Sequence, residues 1–179
     1  MFTNDLQYVI RLYTLEFYPA NIQILHPAPL VMEREYTRGL YLYMECLKVA
    51  FDDEIVTSEE AEILKIIAVA LDVQPSDTAE LRSIVTGEVP NPFVLGNQEY
   101  TGYHVGDASM YQAALIAALD DEVITEDEWA LVNHLRQLVG IQEDEHALIE
   151  EAIRATEGID AMGQTRVERL ERYLTVCQI

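Results

Sequence analysis

The residues with the most chemistry in them are two short acidic runs, Asp52-Asp53-Glu54 and Asp120-Asp121-Glu122. Clustered carboxylates suit hard divalent cations such as Ca²⁺, Mg²⁺ or Mn²⁺, which take oxygen ligands. All six side chains (Asp52, Asp53, Glu54, Asp120, Asp121 and Glu122) are therefore candidate metal ligands. If the two runs met, six carboxylates at one place would repel strongly without a cation. The spacing alone leaves open whether they meet or face solvent at opposite ends. Set on the calcium-loop pattern, Asp53 and Asp121 fall at position five, and Glu60 and Glu128 at position twelve. Positions one and three are then Val49 and Phe51, or Ala117 and Leu119, whose side chains cannot ligate. Position six, which needs a turn glycine, is Glu54 or Glu122. An EF-hand is excluded.

The same stretches carry a second reading. Thr57 is followed three residues later by Glu60, and Thr125 by Glu128. This is the capping box: the hydroxyl accepts from the third helical amide, and the carboxylate reaches back to the cap amide. Further carboxylates in the first turn complement the helix dipole at ~0.3–1 kcal/mol each. Ile55 and Val56, with Val123 and Ile124, are expected to plug the loops into the core, and Val56 and Ile124 stand where a hydrophobic staple belongs. Capping explains Thr57, Glu60, Thr125 and Glu128 better than ligation does, and metal binding stays as the alternative for the Asp-Asp-Glu runs.

Other chemistry is sparse. His26, His104, His134 and His146 show no HxH or HExxH spacing. No GxSxG, Walker loop, GxGxxG or Cys-His pairing gives warrant for nucleophilic or nucleotide-dependent catalysis. Cys46 and Cys177 form no CxxC pair and read as two reduced thiols. The single tryptophan, Trp129, opens a helix at the place of Ala61 in an earlier stretch. It is expected either to be partly exposed or to pack on a connector. Tyr36, Tyr41 and Tyr43 read as packing between an N-terminal helix and the stretch that follows.

The elements that must position these groups come in a repeated order. From Tyr43 to Glu60 the chain matches Tyr111 to Glu128 at a constant offset of 68. Identities include Tyr43/Tyr111, Leu47/Leu115, Ala50/Ala118, Asp53/Asp121, Thr57/Thr125 and Glu60/Glu128, and the offset continues ungapped through Gln74/Gln142 and Ala79/Ala147. Each copy reads as three helices. Apolar positions Ile63, Leu64, Ile67, Ala70 and Leu71 recur at three and four residues, and their partners Leu131, Val132, Leu135, Leu138 and Val139 are all apolar. Gly140 suits a left-handed helix end, and Pro75 is tolerated in a first helical turn. The expected architecture is all-α, a multihelical single domain with an internal duplication of a three-helix unit. Its parts are an N-terminal helix over 4–17, repeat one over 37–86, a connector over 87–107, repeat two over 108–156 and a C-terminal helix over 164–176. In the last, Val167, Leu170, Tyr173 and Leu174 are expected to face inward. Phe93, Val94, Leu95, Tyr100 and Tyr103 in the Gly- and Pro-rich connector predict that it packs on the domain.

Composition bounds the partners. Eleven basic against 32 acidic side chains give a formal charge of −21, which repels a phosphate backbone, so nucleic acid is an unlikely partner. Half of the residues are apolar, enough for a sizeable core. No apolar run approaches the ~18 residues of a membrane span, and the first residues lack the pattern of a signal peptide. The expectation is a cytoplasmic protein with no membrane insertion.

A unit of helix, acidic loop, capped helix and third helix resembles the tellurite-resistance TerB-like family, which includes domains attached to membrane-bound J-domain co-chaperones. The family motif, Asp-Gly-x-hydrophobic-Ser/Thr-x-x-Glu after an apolar helix, is matched by Asp53 to Glu60 and by Asp121 to Glu128. Glu54 and Glu122 stand in place of its glycine. The resemblance covers roughly 37–155 and implies an all-helical duplication acting in a stress-response or scaffolding role, with suggested metal sensing and no established reaction. The expected function is thus non-enzymatic, through protein partners and with a divalent cation as a further ligand. Alternatives are a carboxylate-metal-dependent hydrolase, with Asp53 and Asp121 as ligands, and a purely structural helical adaptor.

Overall fold

The structure, a computed structural model, describes residues 36–53, 55–93, 99–121 and 123–177. The helix expected over 4–17 and the acidic residues Glu54 and Glu122 lie outside them. Among the described residues all regular structure is helical: α1 (Arg38–Ala50), α2 (Ser58–Ala70), α3 (Pro75–Val85), α4 (Asp107–Ala118), α5 (Glu126–Val139), α6 (Glu143–Arg154) and α7 (Arg166–Cys177). The chain is all-α. No helix among the described residues is long and apolar enough to cross a membrane.

Local chemistry sets the helix boundaries. Thr37, Thr57 and Thr125 precede α1, α2 and α5, and each side chain accepts a hydrogen bond from the amide three residues on. Before α3 and α6 a glutamine takes this place, and its amide N–H donates to Asp77 (3.2 Å) or Glu145 (2.8 Å). Thr165 and Glu168 form the same reciprocal pair at the start of α7. Each cap satisfies amide groups that have no partner within the helix.

The core is made where α1 packs on α5 and α2 on α4, with α3 laid against α1, and α6 and α7 against α4. Ile63, Leu64, Ile67, Leu131, Val132, Leu135 and Val139 are buried as their spacing predicts, while Ala70, Leu71 and Leu138 are half-buried at its edge. In α7 Val167 is buried and Leu170 and Leu174 are half-buried, but Tyr173 is 65% exposed, against expectation. It stands one residue off the stripe that Val167, Leu170 and Leu174 make at intervals of three and four.

Two long-range features hold the connector. Phe93 is buried against Tyr36, Tyr41 and Tyr100, with ring centroids 5.3–5.7 Å apart in edge-on contacts. Tyr41 stacks on Tyr100 at 4.9 Å. Tyr36 and Tyr41 thus pack against the connector, while Tyr103 is exposed. At the other end Arg38 grips the buried Asp107 through two 2.8 Å contacts and donates to the Gly102 carbonyl. The His104 amide also donates to Asp107, from 2.6 Å. Removing one partner of such a pair leaves an uncompensated charge, so the pair fixes the start of α4 against the start of α1.

Candidate functional site

Each acidic loop folds around its second aspartate. Asp53 Oδ1 accepts from the Ile55 amide at 3.0 Å, and Asp121 Oδ1 from the Val123 amide at 3.1 Å. These are Asx turns, in which a short carboxylate replaces a backbone acceptor two residues away. The capping boxes follow. Glu60 Oε2 accepts from both the amide and the hydroxyl of Thr57 at 2.9 Å, and Thr57 Oγ1 accepts from the Glu60 amide at 3.2 Å. The second loop repeats this with Thr125 and Glu128 at 2.8, 2.9 and 3.3 Å. Glu60 and Glu128 are each only 4% exposed, because the cap bonds replace the water lost on burial.

Of the two aliphatics in each loop, only the second enters the core. Val56 and Ile124 are half-buried against it, whereas Ile55 and Val123 are 67% and 66% exposed. The expectation that both residues plug the loop is corrected: the Asx turn spends one residue turning outward before the staple position is reached.

Both loops lie at one end of the bundle. Glu45, midway along α1, is 3.9 Å from His134, midway along α5. Asp52 and Asp53, past the end of α1, line a cavity of about 400 Å³ together with Asp127 from the first turn of α5. As α1 approaches its C-terminus, α5 is therefore at its N-terminus, where the second loop enters. Asp52, Asp53, Asp120 and Asp121 are all exposed. Among the described residues no three His, Cys, Asp or Glu side chains are grouped so as to hold a metal ion.

Deeper in the cavity, Glu45 receives Lys48 at 2.5 Å. The His134 imidazole, and then Lys48, hold the Glu45 carboxyl below its usual pKa against the opposing effect of burial. His134 is a half-buried residue at the edge of the core, 68 positions after the buried Ile66. The Glu45–Lys48–His134 group had no signal in the acidic motifs, because it depends on how α1 crosses α5.

A second polar group lies between α4, α5 and α6. Trp129 is 39% exposed and packs on His146 with ring centroids 5.2 Å apart, so it is partly exposed and rests on a ring of α6. The Tyr111 hydroxyl is 2.8 Å from His146 Nδ1, and Glu150 is 3.3 Å from Nε2. Burial pushes the Tyr111 phenol up to about 12. Cys46 is fully buried, and burial pushes its thiol up to about 12. Since the thiolate is the reactive form, this thiol is inert.

Taken together, the acidic end offers exposed negative charge and two exposed aliphatic side chains. Compared with known proteins, the chain matches no family model, no curated protein and no solved structure.

Proposed function

We propose that this chain is a non-enzymatic, TerB-like helical module that binds a protein partner through its acidic end. Internal duplication of a three-helix unit, over 37–86 and 108–156, is part of the proposal. It is supported by the sequence identities at an offset of 68 and by matching Asx turns and capping boxes at both loops. A cytoplasmic setting and a stress- or tellurite-resistance role belong to the same proposal and rest on the family resemblance.

One observation carries the reading: Ile55 and Val123, exposed at 67% and 66%, stand among exposed carboxylates of loops that meet one end of the bundle. An exposed aliphatic stands at the same place in both loops, and a partner with apolar and cationic side chains would bury these and pair with the carboxylates beside them. Fluorescence anisotropy with a labelled Lys/Leu-rich peptide tests this. Binding should weaken with salt and fall roughly tenfold in an Asp52→Asn, Asp53→Asn, Asp127→Asn triple variant, with a further loss on Ile55→Ser plus Val123→Ser. Unchanged binding in both variants would remove the acidic end as the interface.

A cation-tuned version rests on the carboxylate composition of the two acidic runs and not on any grouping of ligands among the described residues. It expects saturable thermal stabilisation by Ca²⁺, Mg²⁺ or Mn²⁺ that is lost in Asp53→Asn plus Asp121→Asn. Flat melting curves across these ions and Zn²⁺ would eliminate this version and the metal-dependent hydrolase with it.

A further inference from the structure

An open groove of about 660 Å³ lies between α1, α2 and α3, floored by Tyr43, Leu47 and Leu64 and walled by Phe51 and Val73. Ala61 and Thr78 also line it. Sixty-eight positions later these two places are taken by Trp129 and His146. There the indole packs on the imidazole, and Tyr111, the counterpart of Tyr43, hydrogen bonds the ring from below. The later segment sets its own rings at positions where the described residues of the earlier one leave the groove open.

The charge at the edge also differs. Where the later segment has Glu150, set against His146, the earlier one has Arg82. The Arg82 guanidinium lies over the Phe51 ring, 5.3 Å from its centroid, which fixes the plane of its donors. Among the described residues Arg82 makes no ion pair, whereas Lys65, the other cation lining the groove, is held by Glu171.

We infer that this groove is a binding site for a small planar aromatic carboxylate, whose ring occupies the place that the Trp129 indole fills in the later segment and whose carboxylate pairs with Arg82. The volume falls in the ~300–1,000 Å³ range of small-molecule sites, which are mainly apolar with a few placed polar groups. Here those groups are Thr78, Gln74, Lys65 and the guanidinium, with one carboxylate, Asp72, which accepts from Gln74 Nε2 at 3.0 Å. Burial pushes the Tyr43 phenol up, so it stays a neutral hydroxyl beside Thr78 and adds no charge against an anion. In a chain of charge −21 an anion is repelled almost everywhere. A planar guanidinium that has no carboxylate partner among the described residues is therefore the feature that selects one, since its fork matches a carboxylate in two parallel hydrogen bonds. This inference is independent of the contacts proposed at the acidic end, and either can fail alone.

Isothermal titration of the full chain with indole acetate, indole and tryptamine tests the site. Indole acetate should bind at one site per chain and at least about tenfold more tightly than tryptamine, the difference expected when one charged pair is made or lost. Arg82→Gln should remove that advantage, so that indole acetate binds no more tightly than tryptamine, and Arg82→Glu should reverse the preference toward tryptamine. Ala61→Trp should abolish uptake of all three; if that variant does not fold, the Arg82 variants decide. Lack of saturable uptake of indole acetate, equal affinity for the three probes, or binding that survives a folded Ala61→Trp would each overturn the assignment. So would a change of oligomeric mass on Ala61→Trp, which would make the groove an interface between copies.

Discussion

The groove beside Ala61 and the ring stack beside Trp129 lie 68 positions apart in two stretches of chain whose sequences begin alike. Both stretches enter their second helix through an Asx turn and a Thr-x-x-Glu cap. In both, a buried tyrosine and leucine lie beneath, Tyr43 and Leu47 in one and Tyr111 and Leu115 in the other. The difference is made by two side chains per stretch, Ala61 and Thr78 against Trp129 and His146. Helix boundaries and buried floors are set by residues common to both, and whether the space above is filled is set by residues that vary. A cavity of this origin costs less than a void in the core, because it opens to water and needs no helix to move.

The largest test of this contrast is Trp129→Ala. A fully buried Trp→Ala change costs ~3–5 kcal/mol. With the indole 39% exposed, about 2–3 kcal/mol should be lost, read as a lower urea midpoint at unchanged slope. A negligible loss would mean that the indole does not hold α5 against α6, and the two stretches would no longer differ by a filled and an unfilled groove. The caps sharpen the comparison from the other side. Thr57→Ala and Thr125→Ala should each cost about 1 kcal/mol, and by nearly equal amounts, since the hydroxyl bonds they remove agree to within 0.1 Å. Clearly unequal losses would show that the loops carry different loads despite their matching geometry.

Much of this was legible in the residues. The period of Ile63, Leu64 and Ile67, and of their partners, marks the buried stripes because a helix face repeats every three to four positions. Thr57, Glu60, Thr125 and Glu128 announce helix starts because the reciprocal bonds require that spacing. The outward turn of Ile55 and Val123 runs against expectation, although the sequence carries a signal for it: an Asp two residues before an aliphatic can bond its amide and redirect the chain. Other features had no local signal. Arg38 and Asp107 are 69 positions apart and meet only once the helices pack. Glu45 finds His134 for the same reason. The convergence of both acidic loops on one end follows from the antiparallel run of α1 against α5, which no single loop encodes.

The smallest effect expected of the comparison lies at the C-terminal ends of α2 and α5. Both close with the same six-residue bond, Val73 N–H to Ala68 O at 2.8 Å and Ile141 N–H to Arg136 O at 3.1 Å. This closure needs a left-handed residue, and the chain supplies Gly140 at φ 77° in one case and Asp72 at φ 55° in the other. A side chain there crowds the backbone by ~1–2 kcal/mol, less for Asp than for most residues, and a carboxylate also opposes the negative end of the helix dipole. Asp72 recovers part of this by accepting from Gln74 Nε2 at 3.0 Å, whereas Gln142 Nε2 reaches the Gly140 carbonyl at the same distance. Asp72→Gly can adopt that second arrangement, but it adds freedom to the unfolded chain worth ~0.4–1 kcal/mol. The balance is a gain of about 0.5 kcal/mol, and the reverse change, Gly140→Asp, should lose about 1 kcal/mol. Both are measurable by urea denaturation at neutral pH. A loss on Asp72→Gly would show that the Asp72–Gln74 contact outweighs strain and dipole together, so that the two helix ends, alike in backbone, are held by different forces.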